Sequence, residues 1–334
     1  MGQYEMTDDS MRDKAVKSAM QPKLQRLEQA LEETKRKLQA SDMVAKELQQ
    51  LYSDSIVSRY VLPKQGKPRK TKRKSFYRVA FGDTHGASLD KTAWKAFLDD
   101  MDRLQPREII HLGDIVDCGG WLAQHQTMGY LAEVDTSYAA DIDAANQMFD
   151  QLQSTCSLSD IHAIEGNHDM RVEKWCISQT LRHSLDSEYL LKLLAPQYLT
   201  HLERRGIRYY KRNECHSGLK NNSGSFVLGN CAFTHPQRAS KHHASRMASD
   251  WGMNVVYGHT HRRDYYPSSD ARGNSWSAWS PGCLCVTRKY WHHTENFNHT
   301  QGYHLQIVQP DDQFLGINIP IIDGTSYLSD LISG

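Results

Sequence analysis

The sequence lacks the features of a membrane-bound or secreted protein. No apolar run approaches the roughly 18 residues that a transmembrane helix needs, and the N-terminus does not resemble a signal peptide. The seven cysteines are an odd number and none forms a CxxC pair, which argues against a disulfide framework. We therefore expect a cytoplasmic protein with free thiols and no membrane contact.

The sequence also lacks a strong charge of one sign. The net charge of +1 creates no global field that would attract nucleic acid, so any argument for that partner rests on local patches. The 334 residues are enough for one large domain with a substantial core and an additional appendage.

Residues 1–58 contain no glycine after Gly2 and carry mostly leucines at a three-four spacing that Thr34 and Ser41 interrupt. This pattern predicts a helical appendage with a weak coiled-coil seam. Two interpretations stay open: the helix forms a homo-oligomer or docks a protein partner, or it packs against its own catalytic domain. Residues 59–75 follow as a basic linker, and their run KQGKPRKTKRK also fits an arm that contacts phosphate backbones.

From residue 76 onward, short strand-like runs end repeatedly in Asp, Asn or His. Because the functional crevice of an open α/β sheet lies at the carboxyl ends of its strands, we expect these ends to converge. Gly166 permits the sharp turn before Asn167. The runs and their following residues are Phe76–Phe81 with GDTHG, 109–112 with GDIVD, 161–164 with EGNHD, Cys231–Thr234 with His235, and 255–257 with GHTH.

The order of these blocks, DxH, GDxxD, GNHD, a lone His and GHxH, resembles the calcineurin-like metallophosphoesterase superfamily. The resemblance spans about residues 76–286 and includes each core block of that family. It implies an α/β fold, a four-layer αββα sandwich of two mixed sheets, for a catalytic domain over residues 76–334. It also implies hydrolysis of a phosphoester with the help of bound metal.

The resemblance further implies a set of ligands for two divalent metal ions, which activate water and stabilise an in-line displacement at phosphorus by attack of a bridging hydroxide. Oxygen and imidazole ligands suit Mn, which we favour, and also Fe, Zn, Ni or Mg. The first ion would be held by Asp83, His85 and His261, the second by Asn167, His235 and His259, and Asp114 would bridge the two.

Catalytic roles follow from the same resemblance. It places His168 over the phosphate as the proton donor to the leaving oxygen. Asp169, or another nearby carboxylate, would raise the basicity of His168 and fix its tautomer. Asp117 would accept a hydrogen bond from a ligating histidine or a turn amide. Arg171 either reaches a phosphate oxygen or forms a surface ion pair.

Two departures from the family pattern affect these expectations. Pro236 follows His235 where many relatives have glycine, and it restricts His235 to extended backbone. GDIVD is not followed by Arg-Gly, and Asp169 stands where serine/threonine phosphoprotein phosphatases have glutamate. The second departure argues against a protein phosphatase.

Basic segments between the blocks favour a polyanionic substrate, and we therefore predict a phosphodiesterase or nuclease that acts on nucleic acid. The alternatives are a phosphomonoesterase, a diesterase of small or cyclic nucleotides, and a non-catalytic scaffold that assembles through its N-terminal helix. For the first segment, an edge strand with a charged face gives the same pattern and is the commoner structure. The segments are 204–212, 238–246, 262–263 and 289–293.

Three further segments carry structural predictions. Residues 138–152 have helical spacing, and a leucine-rich region near 171–212 predicts a helical insertion. Residues 303–322 predict two strands that complete the second sheet. Cys283 and Cys285 alternate as on one strand face, and we interpret them as small apolar residues of the sheet.

Overall fold

The structure is a computed structural model that describes residues 74–118, 137–179, 184–212, 214, 224–237, 240–287 and 298–328, with six helical residues between positions 25 and 35. The chain divides into two units, Met1–Val61 and Leu62–Gly334. Apart from these helical positions and residues 74 and 75, the predicted appendage and linker lie outside the described residues. Their coiled-coil, partner-binding and phosphate-binding roles stay predictions.

Between positions 76 and 326, the described residues form twelve strands and six α-helices, with one 3₁₀ turn at Gly86–Ser88. In chain order they are β1 (Phe76–Phe81), α1 (Lys91–Leu104), β2 (Glu108–His111), α2 (Tyr138–Thr155), β3 (Asp160–Ile164), α3 (Met170–Gln179), α4 (Ser184–Leu194), α5 (Pro196–Leu199), β4 (Arg208–Tyr210), β5 (Phe226–Leu228), β6 (Cys231–Thr234), α6 (His243–Trp251), β7 (Asn254–Tyr257), β8 (Arg263–Ser269), β9 (Ser275–Pro281), β10 (Gln301–Val308), β11 (Phe314–Ile322) and β12 (Thr325–Ser326).

The strands form two sheets, and both are mixed. The first has the order β12-β11-β10-β1-β2-β3-β4, in which β1 to β4 run parallel and the other strands pair antiparallel. The second has the order β5-β6-β7-β9-β8, with β6, β7 and β9 parallel. The predicted α/β fold with two mixed sheets is confirmed.

One strand assignment was wrong. Strands β10 and β11 do not complete the second sheet, because β10 pairs antiparallel with β1 of the first sheet, with Phe76 opposite Val308. The hydrophobic pattern identifies a buried strand but not the open sheet edge that it joins. Here the free edge of β1, opposite β2, takes the C-terminal strands.

The main core lies between the two sheets. Ala80 and Ile110 of the first sheet pack in one cluster with Phe233 and Val256 of the second. Each apolar side chain buried in this way contributes about 1.5 to 3 kcal/mol. Because side chains alternate along a strand, Phe81 points to the opposite face and packs on a helix.

Helices cover the two outer faces. Phe97 of α1 lies with its ring centroid 4.7 Å from that of Phe81 in the first sheet. Met247 and Ala248 of α6 pack against Val255 in the second sheet. The layers are therefore helix, sheet, sheet and helix, and this arrangement places the carboxyl ends of β1, β2, β3, β6 and β7 next to one another.

The basic segment 204–212 contains the short edge strand β4 and has a structural role. Arg205 is only 2% exposed, and its Nη1 donates to Asp150 at 2.6 Å and to Gln153 at 3.1 Å. Arg208 pairs with Asp160 across the edge of the sheet. Arg205 is committed to internal contacts, and Arg208, although its side chain is 57% exposed, is tied to the sheet edge by its ion pair, so neither arginine supports nucleic-acid binding.

Helices α3, α4 and α5 occupy part of the region near 171–212 that was predicted as a helical insertion, and its status as an insertion stays a prediction. Among the described helices, none combines the length and the apolar character that crossing a bilayer requires. Six cysteines lie in the described ranges, and all six are buried and free.

Candidate metal centre

The loops after the parallel strands are joined by backbone hydrogen bonds. In the first sheet, the Asp83 amide donates to the Gly113 carbonyl at 3.0 Å, and the His85 amide donates to the Asp114 carbonyl at 3.0 Å. In the second sheet, the Gly258 amide donates to the Thr234 carbonyl at 3.2 Å. These hydrogen bonds fix the positions of the loops that carry the predicted ligands relative to one another.

Most of the predicted ligands have left-handed backbone. Non-glycine residues rarely adopt positive φ, and they cluster at functional sites where the surrounding fold enforces it. Asp, Asn and His tolerate this region better than other residues, and the site uses two of these three types at such positions. The φ values are 53° at Asp83, 53° at His85, 54° at Asp114, 78° at His259 and 53° at His261.

Four of these residues form what we call the first cluster, Asp83, His85, His261 and Asp114, whose ligand atoms all lie within 4.8 Å of one another. The Nε2 atoms of His85 and His261 are 3.0 Å apart, and His261 Nε2 lies 3.3 Å from Asp83 Oδ1. Asp114 Oδ2 lies 3.8 Å from His85 Nε2. Two imidazoles and two carboxylates thus face a common point.

The second cluster consists of Asn167, His235, His259 and again Asp114. The Asn167 Oδ1 atom lies 2.9 Å from His235 Nε2 and 2.7 Å from His259 Nδ1. Asp114 Oδ2 is 3.4 Å from His235 Nε2. Pro236 restricts the backbone of His235, but the His235 side chain still reaches the site.

Asp114 is the residue that both clusters share. It is 1% exposed, and its second carboxylate oxygen, Oδ1, accepts the amide hydrogen of His168 at 2.8 Å. Burial alone would raise the pKa of the Asp114 carboxyl, but the neighbouring imidazoles of His235 and His168 outweigh it and hold this pKa well below its usual range. The carboxyl therefore stays ionised between the clusters.

The chemistry of these donors fits two divalent cations. Carboxylate oxygens, one amide oxygen and imidazole nitrogens are ligands of hard and borderline metals. Burial lowers the pKa of His259 to about 4, which keeps this imidazole in the neutral form that binds metal. Two glycines leave space beside the carboxylates of the site. A Cβ added at Gly166 would clash with Asp114 Oδ1, and a Cβ added at Gly258 would lie 2.9 Å from Asp83 Oδ2.

His168 lies beside the first cluster and is oriented by Asp117. Its Nδ1 is 3.0 Å from Asp117 Oδ1 and 2.9 Å from the Asp117 carbonyl oxygen. Arg171 donates through Nη2 to His168 Nε2 at 3.0 Å and through Nη1 to the Asp117 carbonyl at 3.0 Å. A guanidinium only donates, so in this arrangement Nε2 is the acceptor and Nδ1 is the nitrogen that donates to Asp117.

The sequence matches a known family over most of this domain. The family model described as the calcineurin-like phosphoesterase superfamily domain matches residues 78–295, more than half of the chain. The chain belongs to the calcineurin-like phosphoesterase superfamily. No curated protein sequence matches it.

Solved structures similar to this superfamily member are distant in sequence. Vps29 from Entamoeba histolytica, complexed with Zn²⁺, is 10% identical with a TM-score of 0.36, and the match covers 75% of this chain and 95% of that one. Yfce, a phosphoesterase from E. coli, is 14% identical with a TM-score of 0.30, and the match covers 72% of this chain and 98% of that one.

One predicted role in this phosphoesterase site does not agree with the geometry. The Asp169 carboxylate does not contact the His168 ring; it accepts backbone amides from Gly166 at 2.8 Å and from Ile115 at 2.9 Å. Burial raises the pKa of Asp169 to about 6, with Asp114 adding to the effect. Asp169 therefore shapes the turn, and Asp117 is the carboxylate that orients His168.

Asp117 also contacts the first cluster. Its Oδ1 accepts from His85 Nδ1 at 3.2 Å while contacting His168 Nδ1 on its other side. The ring centroids of His85 and His168 are 4.6 Å apart in an edge-to-face arrangement. One carboxylate thus orients a predicted metal ligand and the predicted proton donor together.

Four further residues lie near the site, and sequence reasoning assigned none of them an individual role there. His111 lies beneath it, with Nε2 3.0 Å from Thr84 Oγ1, and the ring of His299 lies 4.6 Å from that of His261. Arg212 follows β4, is 3% exposed, and its Nε and Nη1 have no hydrogen-bond partner among the described residues. The fourth is Cys285, whose Sγ is 3.9 Å from His261 Nδ1. None of these residues belongs to a recognisable motif.

Proposed function

We propose that the protein is a dinuclear-metal-dependent phosphodiesterase that acts on nucleic acid. The observation that carries this proposal is the position of Asp114, because its buried carboxylate faces His85 of the first cluster and His235 of the second. A single carboxylate between two sets of donors is what a bridged pair of divalent cations requires.

In this proposal the residues of the first cluster hold one ion, those of the second hold the other, and Asp114 binds both. When bound, the two cations would supply a nucleophile at neutral pH and stabilise the charge that develops on the phosphate oxygens. The left-handed backbone of Asp83, His85 and Asp114 keeps their side chains turned toward the shared point in the absence of substrate.

His168 is the proposed proton donor to the leaving oxygen. Asp117 binds Nδ1, so Nε2 is the nitrogen that is left for proton transfer. In the structure Nε2 accepts from Arg171. A phosphate anion is a stronger acceptor for a guanidinium than a neutral imidazole. We therefore expect substrate to draw Arg171 away and to leave Nε2 free, so that a protonated His168 can donate.

A basic rim supports a polyanionic substrate. We give this name to Lys241, His242, Arg246 and Arg262, which lie at the start of α6 and directly after the ligand His261. Arg262 Nη2 donates to the Ser240 carbonyl at 2.8 Å, which joins two of the predicted basic segments. Lys241, His242 and Arg246 are exposed, so they can contact the phosphates that flank a scissile diester. The segment 289–293 lies outside the described residues.

A substrate panel tests the proposal. With Mn²⁺ present, we expect cleavage of bis-p-nitrophenyl phosphate and of single-stranded DNA or RNA, and little cleavage of p-nitrophenyl phosphate. The matched control is Asp114→Asn, which should be inactive on every substrate. Cleavage of the monoester alone would replace the proposal with a phosphomonoesterase. Cleavage of cyclic nucleotides without polynucleotides would limit it to small diesters, and inactivity of metal-loaded protein throughout would favour a scaffold.

A further inference from the structure

The ligating histidines differ in what contacts their outer nitrogen, the one that faces away from the cluster. A histidine that binds metal through one nitrogen usually donates the other N–H to a fixed acceptor, which sets the tautomer and the ring orientation. His85 Nδ1 donates to Asp117 Oδ1 at 3.2 Å, and His235 Nδ1 donates to the Leu112 carbonyl at 2.8 Å. The corresponding contact of His261 is a sulfur atom.

Cys285 provides that sulfur. Its Sγ lies 3.9 Å from His261 Nδ1, within the longer range of a hydrogen bond to sulfur, whereas His261 Nε2 faces Asp83 at 3.3 Å. The two ring nitrogens point in different directions, so a sulfur on the Nδ1 side is placed to orient the imidazole and not to replace it as a ligand. His85, His261 and Cys285 together form a compact group of potential ligand atoms.

The backbone around Cys285 is fixed to the ligand loops. The Cys285 amide donates to the Asp83 carbonyl at 3.1 Å, and its carbonyl accepts from Gln301 Nε2 at 3.0 Å. The residue also forms a β-bridge with Leu89, and it is 3% exposed. Cys285 therefore connects two ligand loops, one through its backbone and the other through its side chain.

We propose that Cys285 is a positioning residue for the first cluster, and that its sulfur accepts the Nδ1–H of His261 and turns Nε2 toward the bound ion. This inference rests on the proposed metal centre. It assigns to Cys285 the role that Asp117 has for His85 and that the Leu112 carbonyl has for His235.

Serine does not reproduce this contact. A C–O bond is shorter than a C–S bond, so a serine oxygen at position 285 would lie farther from His261 Nδ1 than the present 3.9 Å. A hydrogen bond from nitrogen to oxygen requires a separation of about 3.2 Å or less. Cys285→Ser and Cys285→Ala should therefore both weaken binding of the ion in the first cluster by about 10- to 100-fold, the usual effect of losing such an outer partner.

Cys283 supplies a matched control. It is equally buried and stands two residues away, but its Sγ contacts the Thr300 carbonyl at 3.7 Å and the Cys285 carbonyl at 3.9 Å instead of His261. Cys283→Ala removes the same number of atoms from the same segment. It should leave the affinity for both ions unchanged.

The experiment measures Mn²⁺ and Zn²⁺ retained per full-length chain after dialysis against graded chelator, together with thermal unfolding of the metal-free proteins. We expect wild type and Cys283→Ala to retain two ions and the Cys285 variants to lose one of them at a lower chelator concentration. Unchanged retention in Cys285→Ala would overturn the inference, and so would equal losses in both alanine variants, which would indicate a packing effect.

Cobalt substitution separates positioning from ligation. A sulfur-to-cobalt charge-transfer band in wild type that disappears in Cys285→Ala would make Cys285 a direct ligand and overturn the positioning role, and absence of the band supports it. If wild type itself retains no ion, the proposed function fails. If wild type retains two ions and the Cys285 variants match it, only this inference fails.

Discussion

The first and second clusters differ in how their histidines are held. In the first cluster, the outer nitrogens of His85 and His261 contact the side chains of Asp117 and Cys285. In the second, His235 is held by a backbone carbonyl, that of Leu112. Side-chain partners can be removed by mutation, whereas a backbone carbonyl cannot. Replacing a hydrogen-bonding side chain outside the predicted ligands should therefore change metal affinity in the first cluster, whereas among the described residues no such side chain holds His235 in the second.

The largest effect should come from Asp114, because this residue belongs to both clusters. Asp114→Asn removes the charge between the clusters, so we expect both ions to bind poorly and turnover to fall by about 10⁴-fold or more, since each cation contributes several kcal/mol. Ion content and turnover measure this. Asp160→Asn, at the first residue of β3, whose carboxylate pairs with Arg208 of the edge strand β4, is the control and should retain both ions. Loss of one ion only would show that Asp114 serves a single cluster.

Removing the proton donor should affect chemistry without affecting either cluster. His168→Ala should retain two ions and lose about 10²- to 10⁴-fold in turnover on a polynucleotide, the usual contribution of general acid catalysis. The loss should be smaller on bis-p-nitrophenyl phosphate, because p-nitrophenolate leaves without a proton. Equal losses on the two substrates would contradict a proton-donor role for His168.

Asp117→Asn should distinguish the clusters directly. Asparagine keeps an acceptor oxygen but loses the charge that His85 and His168 share, so we expect about 10- to 100-fold weaker binding of one ion and normal binding of the other. Chelator titration of both ions provides the measurement, and Asp264→Asn, a carboxylate on β8, is the control. Equal weakening at both ions would refute the claim that only the first cluster depends on side-chain partners.

The smallest expected effect lies beneath both clusters, at His111. Gly113 donates to its Nδ1 at 3.2 Å, and burial lowers its pKa to about 3. The folded pKa is below the unfolded value of about 6.5, so only the unfolded chain takes up this proton as the pH falls below 6.5. The stabilising contribution is thus present above pH 6.5 and is lost as the pH falls toward 3.

Denaturant unfolding with chelator present tests this. Between pH 7 and pH 5, wild type should lose about 2 kcal/mol more of its free energy of unfolding than His111→Gln does. Parallel losses in the two proteins would contradict a neutral buried imidazole. Comparing differences between pH values removes any constant change in stability that the substitution itself causes.

The convergence of the strand-end side chains could be predicted from sequence because a local rule places them: each follows a short apolar run, and parallel strands deliver their ends to one edge. Local rules did not predict which carboxylate, Asp117 or Asp169, contacts the His168 ring. Asp169 is the sequence neighbour of His168, yet its carboxylate turns back to the amides of Gly166 and Ile115. Asp117, 51 positions before His168, contacts the ring instead because β2 and β3 pair.

The role of Cys285 was not predictable for a related reason. Alternation along a strand indicates that Cys283 and Cys285 face the same side, but not which of the two reaches His261. Likewise, the spacing of residues 303–322 identified strands without indicating that they join the sheet of β1. Pairing partners and contact distances depend on the assembled fold, and a linear pattern does not contain them.

The left-handed backbone of the ligands limits how this centre can change over time. The residue types that accept positive φ at low cost are glycine, asparagine, aspartate and histidine. Three of these four also bind borderline cations. At Asp83, His85 or Asp114, a substitution by any residue other than glycine therefore either strains the main chain or exchanges one oxygen or nitrogen donor for another, so these backbone torsion angles restrict which metals the proposed centre can bind.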